Sequence, residues 1–289
     1  MQIAIVTGCS TGIGYATALR LAREGCRVHA TVRSEASGSA LLAEASGLPL
    51  TLLLLDVNSD ASVAAGIASV LAAEGRVDIL VNNAGIADGD AIEVTPIATF
   101  ESVMNTNAWG PVRCMQAVLP AMREQRSGCI VNVTSLAGRV ALGGLGAYAG
   151  SKFALEAISD ALAIEVAPFG IRVAIIEPGV VVTPIFEKGS DQPIDFESPY
   201  FEMTFRTSRF LMAGLMNPAS PETAADVIWN AVASPSATVR RTVGEDAATT
   251  VSERAKVSDE AWLSGFSTPD DAQWRSNMLA WTGTEVPPM

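Results

Sequence analysis

The sequence predicts an α/β fold, a doubly wound parallel sheet with helices on both faces. Short β-branched or leucine-rich runs alternate with alanine-rich helical segments over roughly the first 180 residues, which implies strand–helix–strand crossovers. Most of the runs are apolar on both faces, as strands buried between two helix layers must be. The first run also opens into a glycine-rich turn that leads straight into a helix, an arrangement suited to holding an anion.

Taken in order, Ile3–Thr7 is the first strand, and Gly12–Arg23 follows with apolar residues at helical spacing. Arg27–Val32 and Leu50–Asp56 are the next strands, Ser59–Ala73 a helix and Ile79–Asn82 a fourth strand. Phe100–Arg123 reads as one long helix, Cys129–Thr134 as a strand, Ala147–Ala167 as a helix and Arg172–Glu177 as a strand. The pattern weakens after Pro184. Phe186, Phe196, Tyr200, Phe201, Phe205 and Phe210 are half of the chain's nine Phe and three Tyr residues. They suit either a helical excursion closing over the core or a lid over an apolar substrate pocket. Pro221–Ala233 is a further helix and Ala237–Val243 a last strand. Residues 1–243 thus read as one domain, with 185–220 as a lid insertion, and 244–289 as an extension. The extension is acidic but holds Trp262, Trp274 and Trp281, three of five tryptophans, so at least part of it is expected to dock on its own core or on a partner subunit.

Composition narrows the function. The 289 residues, 49% hydrophobic, can bury a sizeable core. With 31 acidic against 19 basic residues the net charge is -12, which argues against nucleic acid as a partner. A single histidine, His29, excludes a multi-histidine zinc site and leaves no Ser–His–Asp triad unless His29 itself serves, so no metal is expected. Cys9, Cys26, Cys114 and Cys129 are scattered and read as free, mostly buried thiols of a cytoplasmic protein. The start, Met1 to Gly8, lacks a basic leader and reads as a strand, not a signal peptide. No apolar stretch approaches the ~18 residues of a membrane span.

The turn Thr7-Gly8-Cys9-Ser10-Thr11-Gly12-Ile13-Gly14 ends at a helix N-terminus, where free N–H groups and the helix dipole favour an anion. Glycine is needed wherever φ is positive or phosphate approaches the backbone closely. With a strand before and a helix after, this is a dinucleotide site contacted by Gly8, Ser10, Thr11, Gly12, Ile13 and Gly14. An acid at the end of the second strand would bind a ribose 2′-hydroxyl and repel a 2′-phosphate. Here Thr31 occupies that place and Arg33 follows, so NADP(H) is favoured and NAD(H) is the alternative.

Tyr148 and Lys152 lie four apart on one helix and share a face. Ser135 follows the strand Cys129–Thr134, and Asn107 sits in the preceding long helix. Transfer of a hydride to or from a carbonyl carbon needs a proton donor or acceptor beside the oxygen. A phenol is a poor base at neutral pH, and an adjacent ammonium is expected to lower its pKa. Lys152 can do so while bonding the nicotinamide ribose, Ser135 can hold the substrate oxygen, and Asn107 can anchor a water that relays protons to Lys152. Singly, each has an ordinary explanation, such as a helix cap for Ser135. Their order downstream of the glycine loop is what distinguishes them.

The motifs Thr7-Gly8-x-x-x-Gly12-x-Gly14, Asn82-Asn83-Ala84-Gly85, Asn107-x-x-Gly110, Ser135, Tyr148-x-x-x-Lys152 and Pro178-Gly179-x-x-x-Thr183 cover about residues 1–185. In this order the chain resembles the compact branch of the short-chain dehydrogenase/reductase family. The resemblance implies a Rossmann-like sheet of about seven strands, a nicotinamide cofactor and a catalytic tetrad of Asn107, Ser135, Tyr148 and Lys152. It also implies that Asp56 and Val57 bind adenine and that Asn83, Ala84 and Gly85 border the cofactor. Pro178, Gly179, Val181 and Thr183 would lie by the nicotinamide. Thr7 to Ser10 with Ala30 to Arg33 is similar to NADP(H)-using hydroxysteroid and retinoid enzymes, and the four-residue Tyr–Lys interval disfavours an enoyl reductase. A hydrophobic small-molecule substrate, steroid-like or aromatic, and a homodimer or homotetramer paired through the two long helices are the corresponding expectations.

Overall fold

The computed structural model describes residues 1–185, 195–234 and 239–288. Its strands are β1 (Ile3–Val6), β2 (Arg27–Val32), β3 (Leu50–Leu54), β4 (Ile79–Asn82), β5 (Gly128–Val133), β6 (Ile171–Pro178) and β7 (Arg240–Val243). Among the described residues the α-helices are α1 (Gly12–Arg23), α2 (Glu35–Glu44), α3 (Asp60–Glu74), α4 (Ile97–Met104), α5 (Gly110–Gln125) and α6 (Gly146–Val166). They continue with α7 (Phe201–Gly214), α8 (Pro221–Ala233), α9 (Glu245–Arg254), α10 (Asp259–Ser267) and α11 (Asp271–Thr282).

All seven strands join one parallel sheet in the order β3-β2-β1-β4-β5-β6-β7. The winding direction reverses between β1 and β4, and a ligand crevice is expected outside the carboxyl ends of strands at such a reversal. Strand residues alternate between two cores. Ala4 and Val6 pack with Leu19 of α1, Leu41 of α2 and Ile228 of α8, whereas Ile3 and Ile5 pack with Ile67 of α3, Val118 of α5 and Leu162 of α6. This two-sided burial is why the strands read as continuous apolar runs. The four cysteines are free and buried, and burial pushes their thiols up.

Within residues 1–243 the structure differs from the sequence reading in a helix, a helix interruption and a strand boundary, and the extension adds the helices α9, α10 and α11. Helix α2 was not expected, because Ser37, Gly38 and Ser39 dilute its helical signal. Ser34 starts it by accepting the Ser37 N–H. The long helix Phe100–Arg123 is interrupted by a π-helical turn, Asn105–Trp109. Pro111 is the cause: it has no N–H to offer the Asn107 carbonyl four residues back, and its ring would clash there. The last strand is Arg240–Val243, and its expected start at Ala237 lies outside the described residues, as does Phe186.

The extension packs on its own chain. Trp274 and Met278 of α11 bury themselves against Phe210 and Ala213 of α7, while Trp262, Phe266 and Trp281 cluster with ring centroids 4.7–5.8 Å apart. Arg206 and Arg209 of α7 lie over the Trp274 ring at 5.7 and 5.6 Å. Arg206 also donates to the carbonyls of Thr268 and Pro269 at 2.6 and 2.8 Å. Among the described residues no helix is long and apolar enough to cross a membrane.

Candidate active site

At the carboxyl ends of β1 and β4 lies an open cleft of about 750 Å³, within the range of cofactor sites. One wall is the glycine loop, with Gly8, Ser10, Thr11, Gly12 and Ile13. The loop is built from within. Gly8 has φ +73, and a Cβ there would lie 2.8 Å from the Ala84 Cα. A side chain at Gly14 would run into the Asn83 amide, so Gly14 packs behind the loop and not in the cleft. Thr7 Oγ1 accepts the N–H groups of Asn83 and Ala84 at 2.9 and 3.0 Å, and the Asn83 side chain returns a bond to the Thr7 carbonyl at 2.9 Å. Thr11, which caps α1, places no side-chain acceptor on the helix N–H groups, leaving them directed at the cleft.

Thr31 lines the cleft at the end of β2. Its hydroxyl accepts the Gly8 N–H at 3.2 Å and so ties the glycine loop to β2. Arg33 is exposed, lines the cleft and has no hydrogen-bonded or ionic partner among the described residues. Ser34 and Ser37 lie beside it, two hydroxyls the sequence reading passed over. The signal for them was the serine cap of α2. Asp56 and Val57 line the opposite part with Asn58, which was also missed. Ala84, Gly85 and Thr183 close the far end. Pro178, Gly179 and Val181 lie outside the cleft wall, and Val181 pairs with Ala219.

The four chemical residues converge beyond Gly85. A Cβ at Gly85 would sit 3.3 Å from Asn107 Oδ1 and 3.7 Å from Lys152 Nζ, so this glycine is the thin floor between cleft and tetrad. Asn107, in the π turn, accepts the Ile86 N–H at 2.9 Å and donates to the Ile86 carbonyl at 2.8 Å and Ser151 Oγ at 3.0 Å. Those partners lock its side chain, and π turns recur at functional sites. Lys152 Nζ donates to the Val133 carbonyl at 3.0 Å and lies 5.7 Å from the Tyr148 ring centroid. Ser135 Oγ donates to the Pro178 carbonyl at 3.4 Å and accepts the Ala137 N–H at 3.1 Å.

The electrostatics correct one expectation. The Tyr148 phenol is pushed up, not down: burial dominates, and the hydrogen bond with Ser135 opposes it. Burial lowers Lys152 to about 8, with Glu156 one turn on pulling it back up. Near neutral pH the phenol therefore carries its proton and is set to donate it. His29 stands apart, between Glu74 and Thr51 at 3.3 Å from each.

The cleft suits a nicotinamide dinucleotide by its own chemistry: a loop with glycine at Gly8 and Gly12 where an anion can approach the backbone, open helix N–H groups and the unpaired guanidinium of Arg33.

Known proteins give the same reading. A family profile described as short chain dehydrogenase matches residues 2–193. A 3-ketodihydrosphingosine reductase of Bacteroides thetaiotaomicron is 39% identical over 62% of this chain and 63% of its own length. Human retinol dehydrogenase 8 is 40% identical over 62% of this chain and 58% of its own. The chain thus matches less than two thirds of either relative's length. The crystal structure of a short-chain dehydrogenase from Streptomyces avermitilis superposes with a TM-score of 0.80 at 35% identity, covering 88% of this chain and 92% of that one. Sheet order, motif order and sequence kinship agree that this chain belongs to the short-chain dehydrogenase/reductase family.

Proposed function

We propose that the protein is an NADP(H)-dependent oxidoreductase that interconverts a secondary alcohol and a ketone, or the corresponding aldehyde pair, on a hydrophobic small molecule. The observation that carries this is the buried Tyr148–Lys152 pair, with Ser135 close enough to the phenol to oppose its upward shift and with Lys152 placed just behind the Gly85 floor of the cleft. A bound nicotinamide supplies or accepts the hydride. Ser135 holds the substrate oxygen, Tyr148 gives or takes its proton, and Lys152 orients the cofactor ribose. Asn107 keeps the π turn in place, so that the carbonyl freed by Pro111 can anchor a water next to Lys152.

Arg33 supports NADP(H): an unpaired fork at the mouth of the cleft matches a 2′-phosphate. The names of the relatives support a lipophilic ketone or alcohol, as do the phenylalanines of α7 and the segment before it. Phe196, Phe201 and Phe205 form a ladder with centroids 5.2 and 5.5 Å apart. Exposed Phe153 and Ile164 on α6, with exposed Trp109 just before α5, support a homodimer or homotetramer through the two long helices, and the four free thiols support a cytoplasmic setting. A non-catalytic cofactor sensor is the rival class.

A panel including 2-decanone and acetophenone, run with NADPH and with NADH, tests the reading. Turnover favouring NADPH is expected, with Arg33→Asp lowering that preference by about tenfold or more through loss of a charge-assisted pair. Cofactor binding without turnover of any ketone or alcohol would place the protein among sensors. An unchanged cofactor preference in Arg33→Asp would remove the NADP(H) assignment.

A further inference from the structure

We infer that Asp246, in the first turn of the C-terminal extension, is a positioning residue for the catalytic centre: its carboxylate holds the Pro178–Val180 turn, and through the Pro178 carbonyl it sets the hydroxyl of Ser135. This rests on the reading of Ser135 as the residue that holds the substrate oxygen. The extension lies beyond the residues matched to the family, 2–193, so nothing in that match gives it a part in the site.

The contacts run in one line. Asp246 Oδ2 accepts the Val180 N–H at 2.7 Å. A side chain at Gly179 would collide with the Asp246 carboxyl group, so carboxylate and turn are packed face to face. The neighbouring backbone groups are also fixed: Gly179 N–H donates to the Val243 carbonyl at 2.9 Å, and Ala219 N–H to the Val180 carbonyl at 3.0 Å. Val180 N–H is the one of these groups held by a side chain, and it faces the extension. On the other side of the same turn, the Pro178 carbonyl accepts Ser135 Oγ at 3.4 Å. That bond is near the limit of hydrogen-bond length, so a displacement of a few tenths of an ångström breaks it.

An acidic residue in the first turn of a helix is ordinarily a dipole partner worth a few tenths of a kcal/mol. Glu245 fits that description here, being exposed. Asp246 does not, because its oxygens are directed at the turn and its own backbone carbonyl accepts Thr250 Oγ1 at 2.7 Å. Asparagine keeps an acceptor oxygen at the same distance from the backbone, whereas glutamate keeps the charge and moves it by one methylene. If position matters more than charge, those two variants separate.

The test measures kcat and KM for 2-decanone and acetophenone with NADPH, the NADPH Kd by quenching of tryptophan fluorescence, and the melting temperature. Asp246→Ala and Asp246→Glu are expected to lower kcat about tenfold, leaving KM and Kd within about threefold. Asp246→Asn is expected to recover most of kcat. Thr250→Ala, which loosens the same helix turn, should lower the melting temperature and leave kcat in place. Wild-type kcat in Asp246→Ala, or equal kcat losses in Asp246→Ala and Thr250→Ala, overturns the inference; so does Asp246→Glu matching Asp246→Asn. Ser135→Ala separates the two levels. Loss of turnover in Ser135→Ala with full turnover in Asp246→Ala rejects only the role of Asp246, whereas full turnover in Ser135→Ala rejects the underlying reading of Ser135.

Discussion

Gly8 and Gly75 form a matched pair of perturbations, with φ of +73 and +71. Alanine in this left-handed conformation costs about 1–2 kcal/mol at either position. The surroundings differ. At Gly75, the cap of α3, a Cβ meets nothing within 4 Å, but at Gly8 it lies 2.8 Å from the Ala84 Cα, a backbone atom. The loop cannot swing aside, because the Gly8 N–H is bonded to Thr31 and its carbonyl to the Asn83 amide. Overpacking of this kind adds about 1–3 kcal/mol. Gly8→Ala should therefore cost about 2–5 kcal/mol in all, against about 1–2 for Gly75→Ala. Any relaxation at Gly8 shifts the N–H groups that face the cleft, and each 1.4 kcal/mol taken from binding is about tenfold in Kd. Fluorescence titration with NADPH, alongside thermal melts, is expected to give a Kd raised about tenfold or more in Gly8→Ala and within about twofold in Gly75→Ala. Equal NADPH affinity in both variants would refute the loop as the anion cradle.

Other predictions concern the lysine and the extension. Burial lowers Lys152 to about 8 from its ordinary 10.5. The resulting cost is about 3 kcal/mol, fully present below pH 8 and lost as pH rises toward 10.5. Lys152→Met removes that cost and gives up the bond to the Val133 carbonyl, worth about 1 kcal/mol. Denaturation at pH 7 should show an inactive variant about 2 kcal/mol more stable than wild type, the gain vanishing near pH 10; a less stable variant at pH 7 would contradict the buried-ammonium account. Trp274→Ala should cost about 3–5 kcal/mol and detach α11 from α7, read as early proteolytic cleavage beyond Gly244. An unchanged melting temperature would mean that the extension does not depend on that contact.

What the sequence made legible was local. The Tyr148–Lys152 interval fixes a shared helix face, and the run of strand, glycine turn and helix fixes an anion site, whatever the rest of the chain does. Burial on both faces similarly identified a parallel sheet. What escaped depended on partners distant in sequence or on small backbone defects. Helix α2 is diluted by Gly38 and its serines and shows itself only through the Ser34 cap. The π turn at Asn107 comes from Pro111, a cue available in the sequence but overridden by the apolar periodicity around it. Thr31 was legible only as a non-acidic residue at the end of the second strand; that its hydroxyl accepts the N–H of Gly8, 23 residues away, was not. The phenol was expected to be tuned by an ammonium, yet burial, which no spacing reveals, sets the direction for both groups. Asp246 approaches Val180 across 66 residues, and no periodicity carries that information.

Tyr148→Phe tests the central claim most directly, because it removes one oxygen and keeps the buried ring. With NADPH and the best ketone of the panel, kcat is expected to fall by about 10²–10⁴, the contribution of a positioned proton donor. The NADPH Kd should stay within about twofold, because the phenol is not part of the cleft wall. Turnover in Tyr148→Phe within about threefold of wild type would contradict the assignment of proton transfer to this residue.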